Sequence, residues 1–228
     1  MNQDSFTPRF LGNMFVIVAL LSLLSGLLLS SLNVPVSDTP VNISQTMNMV
    51  SNNLGKMHIS ILVMFIEASC IVLLAVLLYN ILKEQNKIIA LWAWVLWILE
   101  AVSLVIRAIF TFSLVNVSQE FVKAADPSYF QVLGNLFSTF MQFSYASLMV
   151  FYCIGGFFFY YLFFKSRYIP RAVSMIGMIV TFISFVGILL VIFGFYIPIY
   201  VFLPILLFEL FIGIWLMIGG IKDPNTNL

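Results

Sequence analysis

WILEAVSLVIRAIF, residues 97–110, is the stretch on which the fold turns. It is apolar enough for a membrane helix, yet it carries Glu100 and Arg107. Seven residues is nearly two helical turns, so the two side chains project from one face, about 10 Å apart along the axis. Helical side chains lean toward the N-terminus, so Arg107 leans toward Glu100. Ser103 and Thr111 flank the same stripe. Charges are expensive in hydrocarbon, so this face is expected to turn into a helix bundle and away from lipid.

The whole chain agrees with that reading. Hydrophobic residues make up 62% of the 228 residues and charged residues 8%. Soluble globular domains run near half apolar and about a quarter charged. A formal net charge of +1 lacks the basic face of a nucleic-acid binder. Cys70 and Cys153 fall inside apolar runs and are expected to be free, buried thiols. His58 is the single histidine, and no Cys/His cluster accompanies it, so no metal site is expected. A lone histidine at the outer mouth of a span reads as a solvated cap. No G-x-S-x-G, H-E-x-x-H or Gly-rich phosphate loop occurs, so neither a catalytic residue nor a cofactor is assigned.

Crossing the hydrocarbon takes about 20 apolar residues. Six segments qualify, roughly 11–32, 57–82, 88–115, 134–164, 171–196 and 199–220. The first follows Arg9 and is too long for a secretory signal core, so it is read as a permanent span. The last two are expected to join tightly through Phe195-Tyr196-Ile197-Pro198; the alternative is one bent or re-entrant pair. Arg9, Lys83, Lys87, Lys165, Arg167, Arg171 and Lys222 fall on one side, against Lys56 and Lys123 on the other. That asymmetry makes the first side cytoplasmic. The expected fold is all-α: one integral-membrane domain over 1–228, a polytopic bundle of six transmembrane helices with both termini cytoplasmic, in the inner or plasma membrane.

Two outer loops, about 33–56 and 116–133, are longer than the inner ones. Ser37-Asp38-Thr39-Pro40 and Asp126-Pro127 read as helix starts, so helical extensions are expected on spans two and four. Asn42-Ile43-Ser44 and Asn116-Val117-Ser118 match a glycosylation tripeptide that chance produces often. Ser22, Gly26 and Ser30 recur every four residues and are read as a packing seam within the chain rather than a dimer interface. Gly155, Gly156 and Gly177 suit the same role.

Of ten basic and nine acidic residues, four lie in the interior of these spans: Glu67, Glu100, Arg107 and Glu209. Counted from the flanking polar residues, each of the three carboxyls falls within about 3 Å of the midplane. Arg107 can neutralise one. The other two must be protonated, share a proton or hold a cation, because burial and like charge both disfavour the ionised form. One reading is a structural network that fixes helix register. The other is a site for a proton, a cation or a small cationic ligand, open from outside, with Gln142, Ser144 and Tyr145 as lining and room left by Gly213. A three-plus-three repeat would match Ile98-Leu99-Glu100 with Leu207-Phe208-Glu209, but span five has no acid to match Glu67.

FFKSRYIPRAVSMIGMI (163–179), FLPILLFELFIGIWLMIGGIK (202–222) and AVLLYNILK (75–83) give the chain a family resemblance. It resembles the DUF4386 family of prokaryotic multi-pass membrane proteins. Glu209, Trp215, Pro170 and Arg171 fall on recurrent motif positions of that family. Glu67 and Glu100 fall where its members are expected to carry span acids, and Arg107 has no place in the pattern. The resemblance implies a bacterial or archaeal inner-membrane protein and brings no activity with it. Two function classes therefore stand: a membrane protein handling a proton, cation or small solute, and a non-enzymatic sensor or accessory protein binding lipid or a partner. A lipid-modifying enzyme would need a nucleophile or metal site that the sequence does not offer.

Overall fold

A computed structural model describes residues 3–35 and 42–220. Within them lie seven α-helices and no strand: α1 (Gln3–Ser30), α2 (Ile43–Asn52), α3 (Leu54–Leu82), α4 (Lys87–Phe121), α5 (Ser128–Ser166), α6 (Arg171–Ile192) and α7 (Leu203–Gly219). A short 3-10 helix, Ile199–Phe202, leads into α7. Among the described residues, six segments are long and apolar enough to cross a membrane: Pro8–Ser30, Leu54–Leu82, Lys87–Phe121, Ser128–Ser166, Arg171–Ile192 and Tyr200–Gly219.

The helix ends depart from the sequence expectation for local reasons. The first span stops at Ser30 rather than 32, because Asn33 takes a left-handed backbone with φ of 53° and the Val34 N–H turns back to the Leu29 carbonyl at 3.1 Å. Asparagine tolerates that conformation better than most residues. The fifth stops at Ile192 rather than 196. Gly194 sits at φ 83°, and the Phe195 N–H caps the Leu190 carbonyl at 2.9 Å. Spans five and six are therefore two helices joined by a stretch of irregular chain. The third span runs beyond 115 to Phe121, and the fourth begins at Ser128, ahead of 134.

Local capping sets the remaining starts. Asn86 accepts from the Ile88 and Ile89 N–H groups, each at 3.1 Å, and opens α4. Asp126 Oδ1 accepts from the Ser128 N–H at 3.0 Å ahead of α5, so the helix start read at Asp126-Pro127 holds. The start read at 37–40 lies outside the described residues. There the extension of span two is a separate helix. Asn42 caps α2 through the Gln45 N–H at 3.2 Å, and α2 ends before Asn53, so α3 starts afresh at Leu54. Thr46 Oγ1 donates to the Asn33 carbonyl at 3.0 Å and ties α2 to the end of α1.

The six long helices close a ring. Each packs on the next in the order α1, α3, α4, α5, α6, α7, and α7 returns to α1. At 35 and 39 residues, α4 and α5 are about 52 and 58 Å long. A hydrocarbon core is about 30 Å thick. Their excess lies at the end where α2 packs across α3, α4 and α5. At the opposite end, Lys165 Nζ donates to the Gln85 carbonyl at 3.3 Å and joins α5 to the α3–α4 turn. Arg171 stacks over the Phe164 ring at 5.3 Å beside it.

Small residues let helices meet, though not everywhere the sequence suggested. A Cβ on Gly12 would lie 2.5 Å from the Gly213 carbonyl oxygen, and one on Gly213 would lie 2.9 Å from that of Gly12. Gly213 is thus filled by the crossing of α1 and α7 and leaves no room beside Glu209. Gly155 faces Trp97, and Gly177 faces Tyr160 and Phe208, as a packing role requires. Of the expected seam at Ser22, Gly26 and Ser30, only Ser22 reaches another helix, through a side-chain hydrogen bond to Glu67 of α3; both serines are exposed, and a Cβ on Gly26 would meet nothing within 4 Å. Cys153 is free and buried, whereas Cys70 is free and only half-buried, contrary to expectation.

Candidate functional site: a buried carboxyl cluster

Helix α4 separates its residues by face. Ala93, Trp97, Glu100, Ser103, Leu104, Arg107 and Thr111 are buried, while Leu99, Val102, Ile106 and Ile109 are exposed. The charged stripe therefore points into the ring and the aliphatic stripe toward lipid. Glu67 of α3 and Glu209 of α7 are buried as well. The four in-span charges come from three helices and all sit inside the bundle.

They fall into two linked groups. In the first, Glu67 interacts electrostatically with Arg107 across the α3–α4 contact. Ser25 of α1 donates to Glu67 Oε2 at 3.4 Å and also to the Ser22 carbonyl at 3.1 Å. The Arg107 guanidinium lies over the Tyr145 ring, 5.0 Å from its centroid. Such stacking suits the planar, weakly hydrated guanidinium. The arginine that the sequence aligned with Glu100 engages Glu67 and a tyrosine from α5.

In the second group, Glu100 is opposed by Glu209 and, less strongly, by Glu67. The Tyr152 hydroxyl of α5 donates to Glu209. Glu209, Tyr160, Cys153 and Glu100 all face Tyr152. Two atoms here lack a hydrogen-bond partner although they are buried: Glu100 Oε2 and the Tyr160 hydroxyl. Glu100 is 6% exposed and Tyr160 2%, so lipid-free protein surrounds both.

An aromatic floor supports this second group. Trp97 stacks on Tyr152 at 5.9 Å and 9°, and meets Phe159 edge-on at 4.9 Å and Phe15 edge-on at 6.4 Å. Its Nε1 donates to the Tyr152 carbonyl at 3.2 Å, which fixes the indole between α4 and α5. Tyr160 meets Phe208 edge-on at 5.3 Å.

Other residues of the polar stripes stand apart. Ser103, Thr111 and Ser144 return their hydroxyls to the Leu99, Arg107 and Phe140 carbonyls of their own helices. Gln142 is half-buried, and no described contact joins it to the carboxyls. His58 is exposed. Tyr152 and Ser25 were not singled out from the sequence. Tyr152 follows Tyr145 by seven residues and so shares its face, which is the signal that would have found it.

Among the described residues, no three Asp, Glu, His or Cys side chains converge closely enough to hold a metal ion. The arrangement is instead one of paired carboxyls with phenols beside them. Trp215 is half-buried and covers Gly219. No curated protein and no solved structure matches the chain. A family model does match, described as a domain of unknown function, DUF4386, over residues 10–220, and the chain belongs to that family.

Proposed function

We propose that this multi-pass protein binds and exchanges a proton or a small cationic solute inside the membrane, at Glu67, Glu100, Arg107 and Glu209. The observation that carries the reading is the imbalance of the buried charges. The bundle buries three carboxyls and one guanidinium, the guanidinium engages Glu67, and Glu100 keeps an oxygen with no hydrogen-bond partner. Buried ionisable groups inside a bundle are expensive and by default mark a transport or relay function. A group that only fixed helix register would be expected to satisfy its own oxygens.

The distribution of lysine and arginine supports a cytoplasmic location for both termini. The family resemblance supports the cytoplasmic membrane of a prokaryote.

The test is proton movement by the full chain in liposomes that enclose a pH-sensitive dye, driven by an imposed potential. The wild-type protein is expected to pass protons faster than empty liposomes. Glu100→Gln and Glu209→Gln, folded by their melting curves, are expected to fall to the level of empty liposomes. Equal proton movement in all three proteins, or none in the wild type, overturns the reading. The carboxyls would then matter for folding alone, as in a sensor or accessory protein.

A further inference from the structure

The end of the bundle opposite α2 carries a patch of cations that the carboxyl cluster does not use. We propose that the joined ends of α3, α4, α5 and α6 bind the headgroup of an anionic phospholipid, a phosphodiester with net negative charge. The proposal stands apart from the functional reading above.

Two stretches of chain build the patch. Lys165 Nζ donates to the Gln85 carbonyl at 3.3 Å and so holds the end of α5 against the α3–α4 turn. Residues 83–87 and 165–171 hold Lys83, Lys87, Lys165, Arg167 and Arg171, and one acid, Glu84. Among the described residues none of these five cations pairs with a carboxylate, whereas Lys123 at the other end pairs with Glu120 at 2.9 Å.

Local helix structure does not account for these charges. Lys87 and Arg171 are the first residues of α4 and α6, where the helix dipole disfavours a cation. Arg167 closes α5 with a left-handed backbone, φ 58°, which favours glycine. Orientation in the membrane asks for positive charge at this end and not for where each charge stands.

Three of the cations stand one turn from an apolar side chain on the same face. Exposed Lys87 precedes exposed Leu91 on α4, exposed Tyr161 precedes exposed Lys165 on α5, and exposed Arg171 precedes exposed Met175 on α6. Helical residues four apart are neighbours. These three helices are consecutive in the ring. Their outward surface thus changes from carbon to cation within one turn. Arg171 stacks over the Phe164 ring at 5.3 Å, which holds its guanidinium at that boundary. An anionic phospholipid matches both parts, with acyl chains on the apolar side chains and phosphate among the cations. An acidic protein segment or a free phosphate would use the cations alone.

The experiment is the melting temperature of the full chain in neutral detergent micelles, with dioleoylphosphatidylglycerol, dioleoylphosphatidylcholine or glycerol phosphate added. Phosphatidylglycerol is expected to raise it by about 2–4 °C. Phosphatidylcholine has the same chains and no net charge, and should raise it less. Glycerol phosphate lacks the chains and should leave it unchanged. Salt at about 1 M should remove the rise. The combined variant Lys165→Gln, Arg167→Gln, Arg171→Gln should lose the rise. Arg171→Gln alone should reduce it, which keeps the test open if the combined variant does not fold. Lys56→Gln, which removes an exposed cation near the start of α3, should respond as wild type. No rise, an equal rise with phosphatidylcholine or glycerol phosphate, a rise unchanged in the patch variants, or one lost equally in Lys56→Gln overturns the proposal.

Discussion

Glu100 on α4 and Glu209 on α7 oppose each other across the ring, although no Cα of α4 comes within 8 Å of one in α7. The two carboxyls thus act on each other across the ring through side chains alone. Like charges at such a place oppose folding unless one is neutralised. Glu209→Gln keeps the side-chain shape and an acceptor for Tyr152 while removing a group that can ionise. Its stability is expected to equal or exceed the wild type, by up to about 1 kcal/mol, while proton movement is lost. Melting curves read beside the liposome assay check this. A variant that melts well below wild type and still moves protons would reverse both halves of the claim.

Glu67 and Arg107 are expected to act as a unit. Arg107→Met leaves the Glu67 carboxyl inside the bundle without its guanidinium, and such a break costs about 3–5 kcal/mol. Adding Glu67→Gln should recover part of that loss, with a coupling of about 1–3 kcal/mol between the two sites. The check is a thermal unfolding cycle of wild type, both single variants and the double variant. Strictly additive effects would show that the two residues are independent.

Much of this was legible in the sequence, for reasons of hydrocarbon physics. Long apolar runs define the spans because backbone groups in lipid must pair within their own helix. The inward facing of Glu67, Glu100, Arg107 and Glu209 follows from the cost of a charge in lipid. What the sequence hid was pairing between helices. Tyr152 reaches Glu209 and Ser25 reaches Glu67 only through the order in which helices close the ring. The small-residue stripe pointed to the wrong seam, because Gly12 and Gly213 lie on different helices and form no local pattern. Helix ends were blurred where asparagine or glycine took a left-handed turn, at Asn33 and Gly194.

Outside the membrane, Asp126 gives a pH prediction. The Ser128 N–H holds its carboxyl below the ordinary value of 3.8. A depressed value in the folded state adds stability above pH 3.8 that is lost as pH falls through the folded value. The test variant is Asp126→Asn, because an asparagine side chain accepts the same hydrogen bond without a charge to titrate. Wild type is expected to melt slightly above that variant at neutral pH, and the gap should close below pH 3.8. The group is fully exposed, so the effect is small and salt-sensitive. A gap that stays constant from neutral to acid pH would remove the proposed charge contribution.

The crossing of α1 and α7 sets the sharpest steric prediction. Each glycine lets the other backbone approach, with a Cβ on Gly12 placed 2.5 Å from a carbonyl oxygen that cannot swing aside. Gly12→Ala must therefore part the two helices, at about 1–3 kcal/mol. Helix α7 carries Glu209, so its displacement also moves that carboxyl relative to Tyr152. Gly26→Ala is the control, because a Cβ there meets nothing within 4 Å and alanine favours a helix. Melting temperature should fall for Gly12→Ala and hold or rise for Gly26→Ala, and proton movement should fall only in the first. Equal melting of the two variants would show that α1 and α7 do not meet at this crossing.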